Sequence, residues 1–314
     1  MKIKWILVFI LSLLITLLPL PALANAGTAL LWAGIIHLLA GNGVIALIEA
    51  RLLSKWFHTP HSKTISILIL ANYISAWVGL LSLERLSRNL ATITIENVHV
   101  WLYIFVALAF VMTLIIEYPF FWILFYKQQN SFAKALKATF IIHGISYLLL
   151  LVWYGWASQT SMLTQLDVVS ASELQPREEY VLYFISAENK QPIRSNLAGK
   201  LQQTMQLSEF DSVIPEVRPP SRSVPKLTEN TNWEYRLSYW SAGGITGENK
   251  SENLSFQFAL ETPFAWWRVS HATHLEGDFV VFQLGKDQIC ILHPEQRKIA
   301  LIVRGTQPVV VKAQ

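Results

Sequence analysis

The chain has 314 residues, 53% hydrophobic and only 15% charged. Soluble domains carry about a quarter charged residues, so this balance argues against an ordinary soluble protein and for a membrane one. The net charge of +4 is unevenly placed: residues 1–156 hold ten Lys/Arg and four Asp/Glu, residues 157–314 fifteen and seventeen. The basic excess therefore lies beside apolar segments, where it sets membrane orientation, and the slightly acidic second half argues against nucleic-acid binding.

From the N-terminus, a basic Met1–Lys4 start, an apolar run from Trp5 to Leu20, two prolines and small residues in A-x-A spacing make residues 1–26 a signal peptide or, uncleaved, a first membrane helix. Four apolar stretches follow, near 28–51, 64–84, 99–126 and 137–156. Each reaches the ~20 residues needed to span hydrocarbon. Pro119 predicts a kink or tilt in the third. Arg51, Lys55 and Lys63 flank the first link, and Lys127, Lys134 and Lys137 the third, which places both in the cytoplasm. Trp32, Trp101, Trp153 and Trp156 then mark the outer interface, and Trp56, Trp122 and Tyr126 the inner one. The expected location is a cytoplasmic or inner membrane, crossed several times, with residues 157–314 extracytoplasmic.

That tail reads as a linker to about Gln175, then short runs rich in β-branched and aromatic residues. The expected fold is a four-helix transmembrane bundle followed by a β-rich domain, a sandwich or half-barrel, whose last three strands form a meander. A short helix is expected around Asn196–Leu207, and the four-proline stretch 214–226 as an extended loop. Cys290 is the only cysteine, so no intramolecular disulfide is available, and its alternation with Ile289 and Ile291 predicts an inert buried thiol.

Polar residues inside the apolar segments are the best functional clue, because they are expensive there. Counted at 1.5 Å per residue, Asn42, Asn72, Glu117 and His143 fall in one layer roughly 9–14 Å below the cytoplasmic interface. Asn42 and Glu49 share a helix face, as do Asn72, Ser75, Ala76 and Gly79, and His143, Ser146 and Tyr147. His37 is turned about 140° from Asn42. The layer reads as interhelical hydrogen-bond glue, as a proton or cation relay, or as a membrane-embedded catalytic or metal site, with Glu117 the residue glue explains least. Glu49 and Glu84 are expected at helix ends, without a special role.

In the second half, His271, His274, Glu276 and Asp278 offer zinc-type donors, but in no recognisable spacing, and a solvated loop is the plainer reading. Phe264, Trp266 and Trp267 suit a sugar or lipid headgroup, though core or membrane-facing packing explains them better. GxSxG, GxxxxGK[ST], GxGxxG and HExxH patterns are absent from the sequence. No catalytic residue and no cofactor are expected. The favoured class is a membrane accessory, scaffold or sensor protein whose outer domain binds a partner. The alternatives are a small oligomeric transporter or channel and a membrane enzyme acting on a lipid-linked substrate. The expected partners are membrane lipid and either another protein or further copies of the chain.

Overall fold

A computed structural model describes residues 29–90, 93–158, 162–213, 223–229, 231–237, 244–249, 251–258, 261–262 and 265–313. The expected signal segment, most of the proline-rich loop and Phe264 lie outside these residues.

The first half is helical. Helix α1 (Ala29–Ile36) passes through a π-helical turn, His37–Gly41, into α2 (Asn42–Phe57). Then follow α3 (His61–Leu90), α4 (Val98–Phe125) and α5 (Ser131–Ala157). Four stretches, Ala33–Phe57, His61–Ser82, Val98–Phe125 and Ser131–Ala157, are long and apolar enough to cross a membrane. The first ends six residues beyond the expected 51, because Arg51 and Lys55 ride on the helix instead of ending it. The left-handed His58 (φ +54°) stops it, and Thr64 returns both its backbone N–H and its hydroxyl to Pro60 O to start the next. Helix α4 runs unbroken through Pro119.

The helices close a bundle in which α2 packs on α3, α3 on α4, α4 on α5, and α5 back on α1 and α2. Ala46, Ala50, Ala135 and Ala138 line its core with Leu53, Leu68, Phe121, Phe125 and Ile142. Small residues let the backbones approach closely where no water drives association. The outward faces are apolar: Leu39, Tyr103, Ile115, Leu148 and Val152 are all more than 60% exposed. Polar groups sit within, an arrangement suited to lipid surroundings.

After a single turn, α6 (Met162–Gln165), the chain becomes β-rich. Strands β1 (Asp167–Ser170), β2 (Tyr180–Ser186), β3 (Pro192–Asn196), β4 (Gln203–Thr204), β10 (Val269–His274), β11 (Val280–Leu284), β12 (Gln288–His293) and β13 (Lys298–Lys312) form an eight-stranded sheet that curls into a half-barrel. Its order is β10-β11-β12-β13-β2-β3-β4, with β1 added in parallel to β13. The fifteen-residue β13 organises the sheet. Its first half pairs with β12 and its second with β2, with register shifts at Ile289/Cys290 and Thr306/Val309. Such irregularities bend a sheet locally. Strands β11, β12 and β13 are the expected meander.

Two apolar clusters cover the two faces. One gathers Leu182, Phe184, Val281, Ile289, Ile291 and Ala300. The other gathers Val280, Phe282, Cys290, Leu292 and Ile299 with Trp233, Tyr235 and Ile245. The last three come from a smaller sheet, β5 (Trp233–Leu237), β6 (Ile245–Asn249) and β7 (Leu254–Phe258). Strands β8 (Glu261–Thr262) and β9 (Ala265–Trp266) pair by themselves. Trp267 is buried in the second cluster and lies against Gly285, so packing accounts for it.

Two expectations are corrected here. The helix expected at Asn196–Leu207 is a turn between β3 and β4, and the helix itself, α7, lies at Leu207–Val213. Asn196 Oδ1 accepts the Lys200 N–H and Gly199 adopts φ +72°, so local side-chain bonding outcompetes helix. The expected linker also contains β1, whose alternation is too short to stand out until β13 supplies its partner.

The link between α3 and α4 is built into the β domain. Ile95 and Val98, both fully buried, belong to the same apolar cluster as Cys290 and Phe282. Ile95 N–H donates to Gln288 Oε1 at 2.8 Å, and Asn97 Oδ1 accepts the Thr94 N–H to hold the turn. Helix α4 thus starts inside the core of the β domain.

Candidate functional site

Six polar side chains from four helices meet at the centre of the bundle, two of them carboxylates. Glu49 on α2 is fully buried, and each of its oxygens is claimed. Asn72 Nδ2 on α3 donates to Oε2 at 2.7 Å, and Ser146 Oγ on α5 donates to Oε1 at 2.6 Å. His143 Nδ1, one turn earlier on α5, stands 3.3 Å from Oε1. On the other side of the imidazole, His143 Nε2 lies 3.6 Å from Glu117 Oε2 of α4. Ser75 Oγ donates to Glu117 Oε1. Phe121, one turn after Glu117, packs edge-on against the imidazole at 5.2 Å between ring centroids.

Helical spacing explains the convergence. Asn72 and Ser75 are three apart on α3, and His143 and Ser146 three apart on α5, so each pair presents one face. The Asn72 amide uses its second N–H on Leu68 O, while the Ser146 and Ser75 hydroxyls share their single protons with Ile142 O and Asn72 O. These second bonds hold the side chains in place. Tyr147 is absorbed separately, against Thr113 Oγ1 at 3.0 Å and the Phe110 ring.

The charge is the notable feature. Two carboxylates and one imidazole occupy a site with essentially no solvent exposure. An isolated buried carboxylate costs several kcal/mol, so protons or a cation must offset the negative charge. Glu49 is satisfied by donors. Glu117 Oε2 and His143 Nε2 are not: both are buried without a hydrogen-bond partner.

The four residues of the expected layer therefore separate. Asn72, Glu117 and His143 come together, whereas Asn42 does not join them. It is buried, but its side chain donates to Leu38 O at 3.3 Å and its backbone N–H to His37 O. Tyr73 OH donates to Leu39 O at 2.5 Å. Both side chains serve carbonyls of the π turn, where the regular hydrogen-bond ladder is interrupted. His37 points elsewhere, with Nδ1 2.8 Å from Tyr154 OH. Sequence reading missed Glu49, which stands eight residues inside its helix. The available signal was its shared face with Asn42, but neighbouring Arg51 disguised it as a helix end.

In the β domain the four expected metal donors are not gathered. Among the described residues, the one group of three or more His, Cys, Asp or Glu with donor atoms close enough for an ion is Glu49, Glu117 and His143. His274 is buried and lies 3.5 Å from Asp278, while Thr231 Oγ1 donates to Asp278 Oδ1 at 2.6 Å. His271 Nδ1 faces Ser270 Oγ, and Glu276 occupies a 3₁₀ turn whose N–H donates to Tyr180 OH. Asp278 is also fixed through its carbonyl, which accepts Tyr235 OH at 2.9 Å. Burial alone would raise the Asp278 pKa, but His274 and Thr231, with His293 nearby, hold it below the usual carboxylate range. This group staples β5 and the loop before it to the turn before β11.

Comparison with known proteins finds no matching family model, no matching curated protein and no matching solved structure.

Proposed function

We propose that the chain is an integral membrane accessory protein of the sensor type, in which an extracytoplasmic β domain binds a partner and reports its state to the helix bundle. The observation that carries this reading is the docking of Ile95 and Val98 into the β-domain core. Helix α4 begins at that point and carries Glu117 nineteen residues later, about 28 Å along its axis. A rigid helix running from a binding domain to a buried polar centre is suited to transmitting a small displacement.

The basic flanks of the first and third links support a cytoplasmic side for those links, and the β domain is docked on the second link. A second reading, a small oligomeric transporter or channel, draws on the Glu49–His143–Glu117 cluster, since buried ionisable groups mark ion pathways in membranes.

The test is crosslinking in native membranes before gentle extraction, with mass spectrometry of the crosslinked peptides. The sensor reading expects a stoichiometric protein partner joined through residues 167–313. Crosslinks only between copies of the chain, confined to residues 29–157, would refute it and favour the transporter.

A further inference from the structure

We propose that Glu117 and His143, with Glu49 orienting the imidazole, form a binding site for one divalent transition-metal ion, with zinc as the natural probe. The site stands apart from the sensor reading, because it needs only the helix bundle.

Glu117 Oε2 and His143 Nε2 face each other at 3.6 Å, both buried, neither hydrogen-bonded. That gap is too long for a hydrogen bond. Two donors held ~2.0–2.1 Å from zinc at a tetrahedral angle stand roughly 3.4 Å apart. Glu49 completes the group, with one donor atom from each of the three residues within 4.8 Å of the other two, so its charge also falls close to the ion.

A ligating histidine generally gives its other ring N–H to a carboxylate, which fixes the tautomer and aims the lone pair. Glu49 Oε1, 3.3 Å from His143 Nδ1, occupies that position and is itself held by Asn72 and Ser146. Ser75 holds the far oxygen of Glu117 in the same way. Both ligating residues thus have a supporting contact.

Two carboxylates with a neutral imidazole sum to −2, and one divalent cation balances them in a dry interior. Mixed imidazole and carboxylate donors suit zinc and its neighbours, whereas magnesium and calcium prefer sites built of oxygen alone. The two protein ligands leave two tetrahedral positions for water or ligand atoms.

The experiment uses the full chain in detergent, stripped with a chelator and then dialysed against buffered zinc, with metal per chain measured by mass spectrometry. The wild-type protein is expected to retain about one zinc per chain, and Glu117→Gln and His143→Gln to retain none. Asn42→Ala, on the neighbouring π turn, keeps the ion. Elution volume and near-ultraviolet circular dichroism establish that each variant is folded. X-ray absorption of the loaded protein, which needs no variant, should show nitrogen and oxygen donors and no sulfur. Zinc retained in folded Glu117→Gln and His143→Gln would overturn the proposal by placing the metal elsewhere. Folded wild-type protein that takes up no stoichiometric zinc would overturn it too, leaving the cluster a closed network of shared protons.

Discussion

At the residue scale, the chemistry of the β domain is set by how two ionisable groups are buried together. His293 is half-buried, and that burial holds its pKa below the ordinary histidine value even though Glu295 and Asp278 pull it upward. A histidine that resists protonation in the folded state charges more readily when unfolded. Stability therefore falls as pH drops below about 6.5, the ordinary value. Asp278 behaves in the complementary way: its depressed pKa contributes stability that is present above the ordinary carboxylate value and lost as pH falls through the folded one. The expected profile of guanidinium midpoint against pH has two acid steps, the upper removed by His293→Gln and the lower by Asp278→Asn. Unfolding of the full chain followed by tryptophan fluorescence measures it. A midpoint flat from pH 7 to pH 5 would contradict the assignment of the upper step. Cys290 contributes nothing to either step, since burial pushes its thiol well above the usual range and keeps it protonated.

At the scale of elements, turns decide the shape of the sheet. Gly199 sits at φ +72° in the β3–β4 turn, and a Cβ there would meet Ile302 O of β13 at 2.3 Å. Both the left-handed backbone and the close approach require glycine. Gly199→Ala is expected to destabilise the β domain by about 1–3 kcal/mol for the backbone alone, with the clash in addition. Thermal unfolding of the full chain in detergent measures the loss, and an unchanged midpoint would contradict the turn geometry.

The same scale shows what the sequence could reveal. Long apolar runs and the β-branched, aromatic-rich stretches of β2, β11, β12 and β13 are local patterns, and they were legible. The β1 pairing with β13 spans about 130 residues and leaves no local trace. The turn at Asn196 was hidden because helix-compatible residues follow it. In the site, Asn72, Glu117 and His143 announced themselves as polar residues in apolar runs. Glu49 did not, since a charged neighbour made it look like surface. Asn42 looked like a member because depth along a helix says nothing of the π turn that captures it.

At the scale of the whole molecule, two bodies share one element. The helix bundle hides its polar groups and exposes its apolar ones, and the β domain does the reverse along most of its strands. The α3–α4 link joins them, since Ile95 is core to the β domain and α4 is core to the bundle. The most direct test of this coupling is hydrogen exchange on the full chain in lipid nanodiscs, comparing wild type with Ile95→Ala. The coupled architecture predicts faster exchange both in β12, from Gln288 to His293, and along α4 from Val98 toward Glu117. Faster exchange confined to residues 94–97, with β12 and α4 unchanged, would show that the two bodies are merely tethered and would contradict the sensor account.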